Sequence, residues 1–406
     1  MMPPLPKPSA PPGLFVPAFP TIRPESLIWP RGDGGVEDHF PFTAPSARYF
    51  YFARNAIWNA VKTLGLDRGE ILAPAYHHGV EIEALIDAGA RVNFYRIGPR
   101  FEVDLEDVER RITPRTSALY LTHFLGFPGP VLEMKALARK HSIPLIEDCA
   151  LALFSADGDL PLGVTGDIAI FCLYKVLAVP DGGVLVRNED HALPTDAWPD
   201  ATPLPSPPVS SNASVLASSV LRNVALRGGR PGRRVREMIL APGKRALRAS
   251  GVKPILAGTQ HFNREHSRLG PSRITKWLLP AQNVPDIIAT RRRNYEFLLD
   301  RLGDVSPPLF ETLPSGVVPL CYPIVVDDNR AVMEELVVRG IEAVDFWREG
   351  HPACDVSKFP DVARLRSSIV EIPCYQDLTL ATLDRMADVI RRVLARRAKA
   401  SIRTAA

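Results

Sequence analysis

The chain has 406 residues, 46% hydrophobic and 23% charged. That fits a large globular domain with a smaller one beside it and excludes wholesale disorder or a coiled coil. The net charge of +4 is too small to argue for nucleic acid, and no apolar run of about 18 residues marks a spanning helix. Proline is the outlier: 40 residues, near twice the usual share of about 5%, clustered from Pro3 to Pro30 and from Pro194 to Pro208.

Residues 1–45 read as an extended, proline-rich arm. A helix is expected from Asn55 to Leu64, then a short strand from Glu70 to Ala73 stopped by Pro74. Helix Gly79 to Ala88 ends at Gly89, and strand Val92 to Ile97 follows. Asp104 caps a helix from Leu105 to Ile112. Strand Ser117 to Thr122, helix Val131 to His141 and strand Ile143 to Ile146 come next, the last ending in Glu147-Asp148. Two further strands run from Asp167 to Leu173 and from Gly183 to Arg187. Strands alternating with helices of about ten residues mean a largely parallel sheet covered on both faces. Pro194 to Ser219 reads as a loop, Val220 to Ala249 as a basic helical segment, and Ala289 to Leu302 as a helix. From Pro319 a β-α-β-β-α series forms a second, α+β unit. The expected organisation is an arm (1–45), a large α/β domain (46–255), connecting helices (256–300), a small C-terminal α+β domain (301–398) and a basic tail (399–406).

Much of the basic excess lies in that tail and from Arg222 to Arg248, where nine Lys and Arg stand against Glu237 alone. A solvated helix face is the ordinary reading. An acidic partner, anionic lipid or a nucleotide diphosphate is what else such charges attract. Five widely spaced cysteines, with no Cys-x-x-Cys and no zinc spacing, favour a reducing compartment and no metal site. The N-terminus lacks the charged-then-apolar pattern of a secretory signal, so a cytoplasmic location is expected.

In an open α/β sheet, ligands bind beyond the carboxyl ends of the strands. Two residues stand at such ends. Ile143-Pro-Leu-Ile-Glu-Asp148 is a buried strand delivering a carboxylate. Phe171-Cys-Leu-Tyr-Lys175 delivers a lysine, followed by a turn on Asp181-Gly182-Gly183. The pair fits pyridoxal 5'-phosphate (PLP), which needs a lysine amine to hold its aldehyde as a Schiff base and a carboxylate at its pyridine nitrogen. Each residue alone is a weak signal: a strand-end carboxylate is often a structural acceptor, and a lone lysine is usually just exposed.

From Phe52 to Leu394 the chain resembles the DegT-type family of sugar aminotransferases. The residues that carry the likeness are Glu147-Asp148-Cys149-Ala150, Phe171-Cys172-Leu173 with Lys175 and Asp181-Gly182-Gly183, Pro74-Ala-Tyr-His-His78, Ile112-Thr-Pro-Arg-Thr116, Thr122-His-Phe-Leu-Gly126 and Ile372-Pro-Cys-Tyr375. The resemblance implies a large domain like that of aspartate aminotransferase and PLP as cofactor. It implies amino transfer from an amino acid such as glutamate to a nucleotide-linked keto sugar, and a homodimer. It makes Lys175 the Schiff-base lysine and proton shuttle, Asp148 the partner of the ring nitrogen, and His78 a residue stacked on the ring. Asn55 and Ala56 would offer donors to the phosphate at a helix N-terminus, with Cys172 beside them. Outside these motifs, Trp347 and His351 are candidates to face substrate from the small domain, packing or loop roles being the ordinary reading.

Four departures from the family pattern accompany this. Leu151 replaces a Gln or His, the link from Phe171 to Lys175 is two residues shorter, Pro180 replaces a common Gly, and Leu269-Gly-Pro-Ser272 lacks the usual Asn or Arg. They keep two other readings open: a binding or scaffold protein of polysaccharide biosynthesis with altered catalysis, and a PLP-dependent sugar dehydratase.

Overall fold

The structure is a computed structural model describing residues 14–29, 35–188, 198–199, 202–249 and 262–405. Pro3 to Pro12, Pro30, Pro194 and the expected 255/256 boundary lie outside the described residues. The first half carries α1 (Pro24–Ile28), β1 (Arg48–Phe50), α2 (Ala53–Thr63), β2 (Glu70–Pro74), α3 (Val80–Asp87), β3 (Arg91–Tyr95), α4 (Leu105–Arg111), β4 (Thr116–Thr122), α5 (Val131–Lys140) and β5 (Leu145–Asp148). A small hairpin, β6 (Ala156–Asp157) and β7 (Leu160–Pro161), precedes β8 (Ile168–Cys172) and β9 (Gly183–Arg187). Then come α6 (Val209–Arg227), α7 (Gly229–Ala249), α8 (Arg273–Leu278) and α9 (Val284–Leu302). The last section holds β10 (Cys321–Val325), α10 (Asn329–Val338), β11 (Val344–Asp345), α11 (Pro360–Ser368), β12 (Ile369–Pro373) and α12 (Leu380–Ala405).

Seven strands form the large sheet in the order β1-β9-β8-β5-β4-β2-β3. The run β8-β5-β4-β2-β3 is parallel, whereas β9 is antiparallel to β8 and to β1. Strands buried on both faces cannot alternate polar and apolar residues. Accordingly β5 and β8 are buried at every position. The small sheet, β10-β12-β11, is antiparallel. Local chemistry starts α4 where expected, while α9 begins at Val284, ahead of the expected Ala289. Asp107 N–H donates to the Asp104 carboxylate at 2.9 Å at the start of α4, and Asp286 N–H to the Asn283 side chain at 3.0 Å at the start of α9.

Several expectations need correction. Strand β1 goes unanticipated, because its three residues pair with Gly183 to Leu185 across the chain and carry no pattern of their own. Helix α6 begins at Val209, inside the expected proline-rich loop, since Pro208 precedes the helix rather than breaking it. Helix α11 was also unread, and the expected basic tail is the end of α12, which runs to Ala405. Gly158 and Asp159 form the turn of the β6–β7 hairpin. The described arm is no loose extension. Val16 and Ile22 are buried, Val16 N–H donates to Gly340 O, and Glu342 N–H donates to Val16 O.

Candidate active site

The large sheet delivers Asp148 and Lys175 to one place because β5 and β8 are neighbouring parallel strands with Asp148 opposite Ile170. Alternation along a strand sends adjacent side chains to opposite faces, which separates Glu147 from Asp148. Glu147 accepts from His123 Nε2 at 3.0 Å, from Gly163 N–H at 2.9 Å and from Gly166 N–H. Gly129 N–H donates to the other ring nitrogen of His123. This buried pair is fully engaged.

Asp148 faces a different environment. It accepts from Tyr120 Oη and Ala150 N–H, both at 2.9 Å. Burial, aided by the charge of Glu81, pushes its carboxyl up to about 6, against the pull of Ala150 N–H, Lys175 and Tyr120. Glu81 sits in the first turn of α3 and accepts from the N–H groups of His78 (2.8 Å) and Gly79 (3.0 Å).

Lys175 leaves β8 in a tight turn, closed by Val176 N–H and Leu177 N–H on Leu173 O. The back of that turn is held by Arg291, a fully buried residue of α9. The guanidinium donates to the carbonyls of Lys175 (3.4 Å), Val176 (3.3 Å), Pro319 and Leu320 (both 3.1 Å). Gln376 adds a bond to Val176 O at 2.9 Å. On the far side Asp181 accepts from Asn212 Nδ2, Ser272 N–H and Thr275 Oγ1, tying the turn to α6 and α8. Gly182 has φ +123°, and a Cβ there would meet Leu173 Cδ1 at 2.7 Å. A Cβ on Gly183 would meet Ala53 N at 2.4 Å. The two glycines thus let the lysine loop press against the start of α2.

The charge of Lys175 reaches Asp148, Glu81, His78, Cys172 and Glu371. His78 is half-buried; burial and then Lys175 hold its imidazole down to about 4, so it is neutral at physiological pH. Its ring meets Trp347 edge-on at 6.1 Å. Cys172 is buried and hydrogen-bonded to Tyr174, with burial raising its thiol.

The start of α2 is unfinished. Asn55 is buried, and neither Nδ2 nor Oδ1 of its amide has a partner. The backbone N–H groups of Asn55 and Ala56 both donate to Phe52 O. Ahead of them, the Ala53 and Arg54 N–H groups stand at the helix N-terminus, where the dipole favours an anion. Arg54 lies over the Phe52 ring at 4.4 Å and acts on Cys172, Tyr174 and His78. A buried amide without partners, an open helix start and an arginine make a fitting set for a phosphate. The set fits PLP: Lys175 for the aldehyde, Asp148 for the ring nitrogen, His78 for the ring face, and Ala53, Arg54 and Asn55 for the phosphate. Leu151 is buried and apolar, so it offers no hydrogen bond to a ring hydroxyl.

Two site residues escaped the sequence reading. Arg54 adjoins Asn55, just ahead of the Asn55 to Leu64 helix that the sequence predicts. Glu371 stands at the middle of β12, buried, and its carboxylate takes no hydrogen bond from any described residue. Burial pushes it up to about 7; Lys175 pulls the other way and Asp345 adds to the rise. A single glutamate in the apolar run Ile369-Val-Glu-Ile-Pro373 was the available signal. The remaining residues singled out are tied to protein neighbours, with Trp347 still at the edge of the site through its contact with His78. Trp347 stacks on Phe346 at 4.5 Å, His351 Nε2 pairs with Glu83 at 2.6 Å, and Arg222 pairs with Glu342 at 3.3 Å.

Residues 53–195 match the DegT/DnrJ/EryC1/StrS aminotransferase family. Over that segment the chain is similar to members of this family. GDP-perosamine synthase of Vibrio cholerae is 30% identical over 139 residues, which cover 33% of this chain and 38% of that protein. The dTDP-4-dehydro-2,3,6-trideoxy-D-glucose 4-aminotransferase of Saccharopolyspora spinosa is 35% identical over 133 residues, covering 32% and 34%. The matched stretch therefore spans well under half the length of these relatives. Among solved structures, the aminotransferase TlmJ of Streptoalloteichus hindustanus superimposes with a TM-score of 0.63 at 18% identity, covering 95% of this chain and all of that one. DesI, solved in the presence of its TDP-sugar product, gives 0.64 at 20% identity, covering 99% and 97%. At such identities the likeness is one of fold, and it extends over the small sheet that the sequence match leaves out.

Proposed function

We propose that the protein is a PLP-dependent aminotransferase that moves an amino group from an amino acid such as glutamate to a nucleotide-linked keto sugar. One observation carries the reading: Lys175, the buried Asp148 and the open start of α2, with its unpartnered Asn55 amide, meet at the carboxyl end of the large sheet. The names of the relatives, a perosamine synthase and a dehydro-sugar aminotransferase, support the substrate class. Five buried free cysteines agree with a reducing, cytoplasmic setting. Among the described residues, no helix is long and apolar enough to cross a membrane. On the family resemblance we also take the enzyme to be a homodimer, residues 46–255 to be its cofactor domain and 301–398 its small domain.

Bound in this site, PLP supplies an aldehyde for amine exchange and an electron-accepting ring. The chain's own residues do the rest. Asp148 would accept from the protonated ring nitrogen and keep the proton there. Asn55, Arg54 and the first N–H groups of α2 fix the phosphate, and His78, neutral, packs against the ring. Lys175 Nζ would hold the aldehyde and, as a free amine, would move a proton to and from the substrate carbon that bears nitrogen, work typically worth about 10²–10⁴-fold. Arg291 and Asp181 hold the lysine turn from opposite sides.

The test is an absorbance spectrum of the purified protein with added PLP, followed by amino donors. A visible band that depends on Lys175 and bleaches with a donor is the expected result. Absence of PLP binding refutes the proposal. A band that no donor bleaches favours the scaffold or dehydratase reading that the buried Leu151 motivates.

A further inference from the structure

Helix α7 faces the wrong way for a surface helix. A surface helix buries its apolar stripe and shows its charges. Here Arg233 and Arg236 are turned inward, with side chains only 14% and 17% exposed. Arg233 donates to Leu14 O at 3.4 Å, and Arg236 lies over the Phe15 ring at 4.8 Å and within 4.0 Å of the Glu342 carboxylate. Outward stand Val235, Met238 and Ile239, exposed by 41%, 69% and 56%. Their i, i+3, i+4 spacing makes one continuous apolar patch.

The rim of that patch is basic. Arg230 and Arg234 are exposed beside it, and Glu237 is held by Arg233 at 3.1 Å. At the root of the helix a groove of about 600 Å³ is lined by Leu14, Arg230, Arg385, Val389 and Arg392. Its acidic member, Asp388, is bonded to Arg301 at 2.9 Å. Three arginines at the groove and an apolar patch one turn along the same helix complement a surface that offers phosphates above hydrocarbon.

We propose that the outer face of α7, with the arginine groove at its root, docks the protein on an anionic lipid surface: Val235, Met238 and Ile239 enter the headgroup boundary while Arg230, Arg234, Arg385 and Arg392 meet lipid phosphates. This is the arrangement of an interfacial amphipathic helix, which lies in the plane of the membrane and spans nothing. It is independent of the aminotransferase reading and stands or falls separately.

The test is co-sedimentation of the full chain with vesicles of phosphatidylcholine containing phosphatidylglycerol, against vesicles of phosphatidylcholine alone. Binding to the anionic vesicles only, released by raised salt, is expected. Each arginine near an anionic surface is worth about fivefold in affinity. Arg230→Glu with Arg234→Glu should therefore weaken binding by at least roughly 25-fold, and Met238→Asp with Ile239→Asp should abolish it, with the thermal transition unchanged. Equal or absent binding to the two vesicle types overturns the proposal. So does a Met238→Asp/Ile239→Asp variant that still sediments with anionic vesicles but changes oligomeric state in analytical ultracentrifugation, which would make the patch a contact between copies of the chain.

Discussion

Glu147 and Asp148 are neighbours on one strand, both buried, and they do opposite work. Glu147 is saturated by His123 and two backbone N–H groups. Asp148 has a tyrosine hydroxyl and one N–H, a carboxyl raised to about 6, and a lysine within electrostatic reach. A satisfied buried carboxylate holds a fold together; an under-satisfied one beside a lysine holds something that has yet to arrive. The same contrast separates Arg291, spent on backbone carbonyls, from Arg54, which stands on an aromatic ring at an open helix end.

The largest effect expected is on the reactive side. Lys175→Ala should cost turnover roughly 10²–10⁴-fold and remove the visible band. Asp148→Asn should also lose turnover yet lower the thermal transition little, because above about pH 6 it removes a buried charge. A large loss of stability in Asp148→Asn would break the comparison.

Glu147→Gln should do the reverse. Breaking this buried hydrogen-bonded pair should destabilise the protein by about 3–5 kcal/mol, read by denaturant unfolding, while the variant that folds keeps its PLP band.

Glu371→Gln sharpens the contrast through pH. The ordinary value of this carboxyl is 4.5 and its folded value is about 7, so the folded state holds the proton more tightly. That advantage is full below about 4.5 and is lost as pH rises through 7, where the ionised group costs roughly 3 kcal/mol. The variant should melt higher than wild type above pH 7, and the gain should vanish below about pH 4.5. A gain independent of pH would show that Glu371 is not a strained carboxylate.

The smallest effect is at Asn55. Removing an amide that lacks partners in the free protein should leave the transition unchanged or slightly raised. PLP affinity, measured by fluorescence titration, should weaken by roughly fivefold, the worth of one hydrogen bond at about 1 kcal/mol. Undiminished affinity would remove Asn55 from the phosphate site.

Much of the large sheet was legible because its strands are short apolar runs with turn residues between them, and Asp148 and Lys175 stand at their ends. What was missed depends on distance. β1 exists only through pairing with β9. Glu371 meets the field of Lys175 across nearly half of the chain, and no local pattern encodes that. The proline stretch before α6 read as loop because proline is hostile inside a helix, although it is tolerated at the start of one. The arginines of α7 read as a solvated face, whereas two of them turn inward onto the arm, which periodicity alone does not reveal.

The arm has a consequence for how the protein is made. Val16 pairs with Gly340 and Glu342, and Ala18 N–H reaches Glu342 across 324 residues of chain. Residues 14–18 must wait for the small sheet to emerge before they find their seat. The contact is among the most non-local the chain can form, and such contacts close late. Until then Leu14, Phe15 and Val16 remain without the partners that bury them. The step that finishes the small unit is therefore also the step that fastens the arm, so that the two become stable together.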